Sequence, residues 1–136
     1  MADRMFRLNP HYPPWYNNAV DPYYATNQYD KVITLIRRTI GEVATWSQMV
    51  LTLSYAQLGR QPDLATAKAE LLRRYPDFSL ERFMSDFGPI PDQTMLAHYM
   101  DGARKAGLND CATDDELKKY PKMTHLAVCD ARHATN

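Results

Sequence analysis

The 136-residue sequence predicts an all-α fold of short antiparallel helical hairpins. Three observations point there. Ala, Leu and Met number 15, 13 and 7, whereas Ile and Val together number 9, so strong helix formers outweigh β-branched residues. Apolar residues recur with the helical period in successive blocks. Gly, Pro and Asn fall between those blocks, where helices stop and start. The length suits one domain with a modest core.

Each element has its own signals. A tyrosine-rich first helix is interrupted by Pro22, which removes a donor and crowds the preceding turn, so a kink or break is expected near Asp21-Pro22. Tyr29, Val32, Ile33, Ile36 and Ile40 share one face of a second helix, with Gly41 as its stop. Trp46, Val50, Leu51, Leu53, Tyr55 and Leu58 make the third, apolar over much of its circumference, and Gly59 ends it. Pro62 suits the first turn of the fourth, which carries Leu64, Lys68, Leu71, Leu72 and Tyr75 and stops at Tyr75-Pro76-Asp77. Ser79 is an N-cap with Glu81 in the first turn, and Phe78 and Phe83 take the positions of a hydrophobic staple. Gly88-Pro89 closes that short helix. Met95, Leu96, Tyr99, Met100 and Ala103 define a helix from about Asp92 to Ala106, capped by Gly107-Leu108. Beyond Asn109 the pattern weakens: one or two turns over Asp114 to Tyr120, then a tail.

The punctuation repeats. Asn27 lies 32 residues before Gly59, and Tyr23 precedes Tyr55 by the same offset. Two helix–turn–helix units follow, at 12–42 and 43–77, with capping helices at 78–108 and a tail at 109–136. Leu51, Tyr55, Gly59 and Pro76 in the second unit, and Tyr16, Ala19, Tyr23 and Tyr29 in the first, resemble the tetratricopeptide repeat (TPR) pattern. Asn27 replaces the expected glycine, and Leu64 the alanine that usually starts the second helix. The phrases Arg7-Leu8-Asn9-Pro10-His11-Tyr12-Pro13, Tyr55-Ala56-Gln57-Leu58-Gly59-Arg60 and Ala69 to Phe78, and the ending Asp101 to Leu108, are similar to the C-terminal TPR region of bacterial class III adenylate/guanylate cyclases. That resemblance implies a TPR-like solenoid with a catalytic or DNA-binding domain upstream, and residues 1–11 as the end of a truncated repeat helix. The alternative is an independent small regulatory TPR protein that holds its tail, with or without metal, against the groove.

Composition limits the chemistry. Sixteen Lys and Arg balance 16 Asp and Glu, which argues against nucleic acid or an anionic membrane surface as the main partner. The longest uncharged stretch, Val43 to Gly59, is 17 residues and contains polar side chains, so a buried helix is expected and not a membrane span. There is no phosphate-binding glycine loop and no nucleophile elbow, and a cyclase's strand-rich catalytic domain is missing from the chain. Asp114-Asp115-Glu116 reads as a solvated helix start. Neither catalysis nor a cofactor is expected. Cys111 and Cys129 are too few for a disulfide scaffold, so a cytoplasmic protein with two reduced thiols is the reading. His125, Cys129 and His133 share a helical spacing, and Cys111 could join them as zinc ligands. Zinc sites more often begin with closely spaced Cys pairs, so an ordinary tail without metal is expected.

In TPR arrays the first helix of each unit lines the concave groove. The resemblance implies groove positions at Asn17, Asn18, Asp21 and Tyr24 in the first unit and at Trp46, Met49, Leu53 and Gln57 in the second. No Lys or Arg stands among them to clamp a carboxylate. A protein or peptide with an apolar segment is therefore the expected partner, and packing of these residues on the chain's own helices is the competing reading. Self-association through the N-terminal half is expected, because Met5, Phe6 and the first helix lack an upstream neighbour.

Overall fold

The computed structural model describes residues 19–39, 41–88 and 90–134. They form helices α1 (Val20–Ala25), α2 (Tyr29–Arg37), α3 (Thr45–Leu58), α4 (Gln61–Arg74), α5 (Leu80–Phe87), α6 (Gln93–Lys105), α7 (Asp114–Lys119) and α8 (Ala127–Ala134). Among the described residues there is no strand, and Ser79 and Asn109 form an isolated parallel bridge. The all-α expectation is met.

Helix α3 lies at the centre, packed by α1, α2, α4 and α6. This is why the uncharged stretch carries no charge: no side of α3 between Ser47 and Ala56 faces water. Three of its buried polar residues bond within the helix layer. Thr52 Oγ1 donates to the Gln48 carbonyl and Ser54 Oγ to the Val50 carbonyl, both at 2.8 Å, and Gln48 Nε2 donates to the Ala67 carbonyl at 3.0 Å. Met49, Val50, Leu53, Val32, Leu35 and Leu71 fill the space around it.

The helices of each hairpin are joined by the same device. Asn27 and Gly59 both take the left-handed conformation, at φ 61° and 69°. Beyond each, an N–H reaches back six residues inclusive: Gln28 to the Tyr23 carbonyl at 2.8 Å, and Arg60 to the Tyr55 carbonyl at 3.1 Å. Gly107 (φ 74°) repeats it after α6, with Leu108 N–H bonded to the Ala103 carbonyl at 2.9 Å. Asparagine substitutes for glycine at position 27 because its short polar side chain tolerates this region.

Helix α1 includes Asp21 and Pro22, where a kink or break was expected. The helix begins at Val20, so Pro22 sits in the first turn, where an N–H has no intrahelical acceptor and its absence costs little. Residues 1–18, which precede it, lie outside the described residues. Helix α2 ends at Arg37, short of the expected Ile40, which also lies outside them.

The segment after Asn109 is more than a tail. It folds into α7 and α8 and packs on the first turn of α5. Leu80 N–H donates to the Asn109 carbonyl at 2.9 Å and Glu81 N–H to the Asp110 carbonyl at 3.0 Å. Cys111 and Cys129 form a disulfide, with Cα atoms 5.6 Å apart. The expectation of two reduced thiols is thereby corrected. They stand 18 positions apart in sequence, and only the fold of the intervening chain brings them together. Disulfides persist in oxidising compartments, so the ground on which a cytoplasmic location was read is removed. No helix among the described residues is long and apolar enough to cross a membrane.

Candidate functional site

The first-helix face is built from α1 and α3, and α6 lies along it. Asp21 accepts from Trp46 Nε1 at 2.9 Å and from the Tyr99 hydroxyl of α6. Tyr24 is fully buried and stacks on His98 and Tyr99, with ring centroids 4.3 and 4.7 Å away. Its hydroxyl donates to the His98 carbonyl at 3.0 Å and accepts from Gln57 Nε2 at 3.1 Å. Gln57 also donates to Asp101 at 3.2 Å and accepts from Lys105 Nζ at 2.9 Å. Met49 and Leu53 are fully buried. Of the residues that the resemblance assigned to a groove, Asp21, Tyr24, Trp46, Leu53 and Gln57 meet the chain's own α6, and Met49 is buried on α3. Asn17 and Asn18 lie outside the described residues.

Gly102 is the point of closest approach. A Cβ there would stand 2.3 Å from Tyr24 Oη and 3.1 Å from Leu53 Cβ, so glycine lets α6 settle onto α1 and α3. Burial pushes the Tyr24 phenol well above its ordinary range. Burial, together with the Asp21 charge and hydrogen bond, does the same to Tyr99. Both hydroxyls stay protonated and donate. Burial also lowers the His98 imidazole below its usual value, with Lys105 in support and Asp101 opposing.

A second polar centre lies at the N-terminus of α5, where Glu81 and Arg82 are both buried. They point to different partners. Arg82 Nε donates to Glu116 of α7 at 2.5 Å, and Nη2 donates to the Pro76 carbonyl at 2.5 Å. Its guanidinium lies between the Tyr75 and Tyr120 rings, 4.0 and 4.3 Å from their centroids. Ser79 caps the helix as expected, accepting from Arg82 N–H at 3.1 Å.

Glu81 is fully buried. Oε1 accepts from Ala112 N–H at 2.9 Å and meets His133 Nε2 at 2.7 Å. Oε2 accepts from Leu126 N–H at 3.0 Å and meets His125 Nδ1 at 3.3 Å. Burial alone would raise the carboxyl, but the Ala112, His133 and Leu126 hydrogen bonds and the His133 charge hold it below its ordinary value. The carboxylate therefore stays ionised. His125 and His133 do not lie along one helix face, because α8 begins only at Ala127. On a continuous helix they would be about 12 Å apart along the axis. The bend before α8 brings their ring centroids to 5.5 Å. Of the four zinc ligands considered from the sequence, the two sulfurs are consumed by the disulfide and the two imidazoles converge on Glu81.

Sequence reasoning assigned Glu81 only to a helix start. The one available signal was a Glu-Arg pair enclosed by Leu80 and Phe83, charged residues inside an apolar turn. No family model matches the chain, and no curated protein or solved structure is significantly similar to it.

Proposed function

We propose that this chain is a non-catalytic protein-interaction module of TPR-like hairpins, of the kind that resembles the C-terminal region of bacterial adenylate/guanylate cyclases. The observation that carries this reading is α6 lying along the shared face of α1 and α3, the face on which such hairpins take an amphipathic segment. The repeated turn at Asn27 and Gly59 supports it. In this reading α6 is an occupant supplied in cis, and a partner's helix with an apolar face competes for its place. A second reading, an independent small regulatory protein, is favoured by the docking of residues 109–134 on α5 through Arg82, Glu81 and the disulfide.

Gly102→Ala tests the first reading. The added methyl cannot be accommodated by a swing of Tyr24, whose ring is held between His98 and Tyr99. Overpacking costs about 1–3 kcal/mol, whereas the gain in helix propensity is about 1 kcal/mol. The variant is expected to unfold cooperatively at a lower temperature and to bind a labelled Gln93–Lys105 peptide that the parent chain binds far more weakly. Fluorescence polarisation reads the difference. A variant that exposes apolar surface to a dye yet ignores the peptide would sink the reading.

A further inference from the structure

We infer that Glu81, His125 and His133 form a binding site for one divalent metal ion of the zinc class. The three side chains each offer a ligand atom, and these atoms lie within 4.8 Å of one another. Imidazole nitrogen and carboxylate oxygen are donors that zinc accepts. A tetrahedral ion with bonds of about 2.0–2.1 Å holds its ligand atoms about 3.3 Å apart. The two imidazoles face different oxygens of the carboxylate: His125 Nδ1 stands 3.3 Å from Glu81 Oε2, and His133 Nε2 stands 2.7 Å from Glu81 Oε1 and has to open by about 0.6 Å.

The surroundings favour a cation at this point. Glu81 is a fully buried carboxylate, and among the described residues no Lys or Arg is one of its hydrogen-bond or ion-pair partners. Besides the two imidazoles, the Ala112 and Leu126 N–H groups reach its oxygens, and among the described residues no permanent positive charge offsets this buried anion, which is a costly state. A divalent ion removes that deficit. The Ala112 and Leu126 N–H groups then orient the carboxylate from behind, as outer partners of metal ligands do. The His125 side chain is 42% exposed, which leaves a path for the ion and room for a water as fourth ligand.

The disulfide fixes the segment that carries both imidazoles. Cys129 stands between His125 and His133 in sequence and is tied to Cys111, the neighbour of Ala112. The sulfurs are therefore supports and not ligands. The competing account is a plain imidazolium–carboxylate ion pair.

The test uses the full chain with its disulfide intact, stripped with a chelator and titrated with Zn²⁺ against a chromophoric competitor. One equivalent is expected to bind. His125→Ala and His133→Ala are each expected to weaken binding by at least about 100-fold, beyond the 10–100-fold loss typical of outer partners. Co²⁺ is expected to give ligand-field bands without a thiolate charge-transfer band. Absence of binding, equal binding by the His133→Ala chain, or a thiolate band overturns the assignment. Should a variant fold poorly, the parent chain decides by nuclear magnetic resonance: Zn²⁺ has to shift the ring signals of His125 and His133 and leave those of His98 in place.

Discussion

Opening the Cys111–Cys129 bridge is expected to destabilise the fold by about 3 kcal/mol. The bridge joins positions 18 residues apart, and the chain-entropy cost of closing a loop of that size in the unfolded state gives about this figure. With an unfolding entropy of about 2.1 cal/mol/K per residue over 136 residues, 1 kcal/mol is worth about 3.5 °C. The thermal midpoint should therefore drop by about 10 °C. Part of the loss is local. Besides the bridge, α8 is tied down by Arg132 to Asp110 at 2.8 Å and by His133 to Glu81. Amide exchange over Ala127–Ala134 should rise first, while the buried α3 keeps its protection. Circular dichroism melts of the oxidised chain, the reduced chain and a Cys111→Ala/Cys129→Ala variant measure the shift. A midpoint that moves by less than about 2 °C, or two alkylatable thiols in the native unreduced chain, would refute the reasoning.

Two further outcomes follow from buried polar groups. Arg82→Leu leaves Glu116 buried without its partner and the Pro76 carbonyl without its donor, and a loss of about 3–5 kcal/mol in urea unfolding is expected. Arg82→Lys should recover little of it, because an ammonium cannot span both acceptors and lie flat between the Tyr75 and Tyr120 rings. His98 contributes a pH dependence. Its imidazole is held below its ordinary value, so between that depressed value and about 6.5 the unfolded chain binds more protons than the folded one. Stability from this residue is full above about 6.5 and falls as the pH drops through that window. His98→Gln should flatten the slope in denaturation curves taken from pH 7 to 5.

Much of the helical framework was legible in the residues. The periods at Tyr29 to Ile36 and Trp46 to Leu58, the Ser79 cap and the Gly107 stop all depend on neighbours within one or two turns. The carboxylate centre was not legible for the opposite reason. Glu81 takes its hydrogen bonds from partners 31, 44, 45 and 52 residues further on. The His125–Cys129–His133 spacing suggested a shared helix face, but the chain before Ala127 is not helical, and oxidation removed the thiols from the set. Asp21, Tyr24, Trp46, Leu53 and Gln57, which the resemblance assigned to a groove, lie against the chain's own α6. That α6 would be laid over them depended on Gly102, whose missing Cβ is informative only once its neighbours are known.

Local stereochemistry, then, was written in the chain: where helices begin and end, which turns need a left-handed residue, and which helix carries no charge because it is enclosed. Tertiary structure alone decided which faces meet, which sulfurs pair and which imidazoles gather around a buried carboxylate. Those choices rest on contacts between segments far apart in sequence, and no spacing along one segment encodes the position of another.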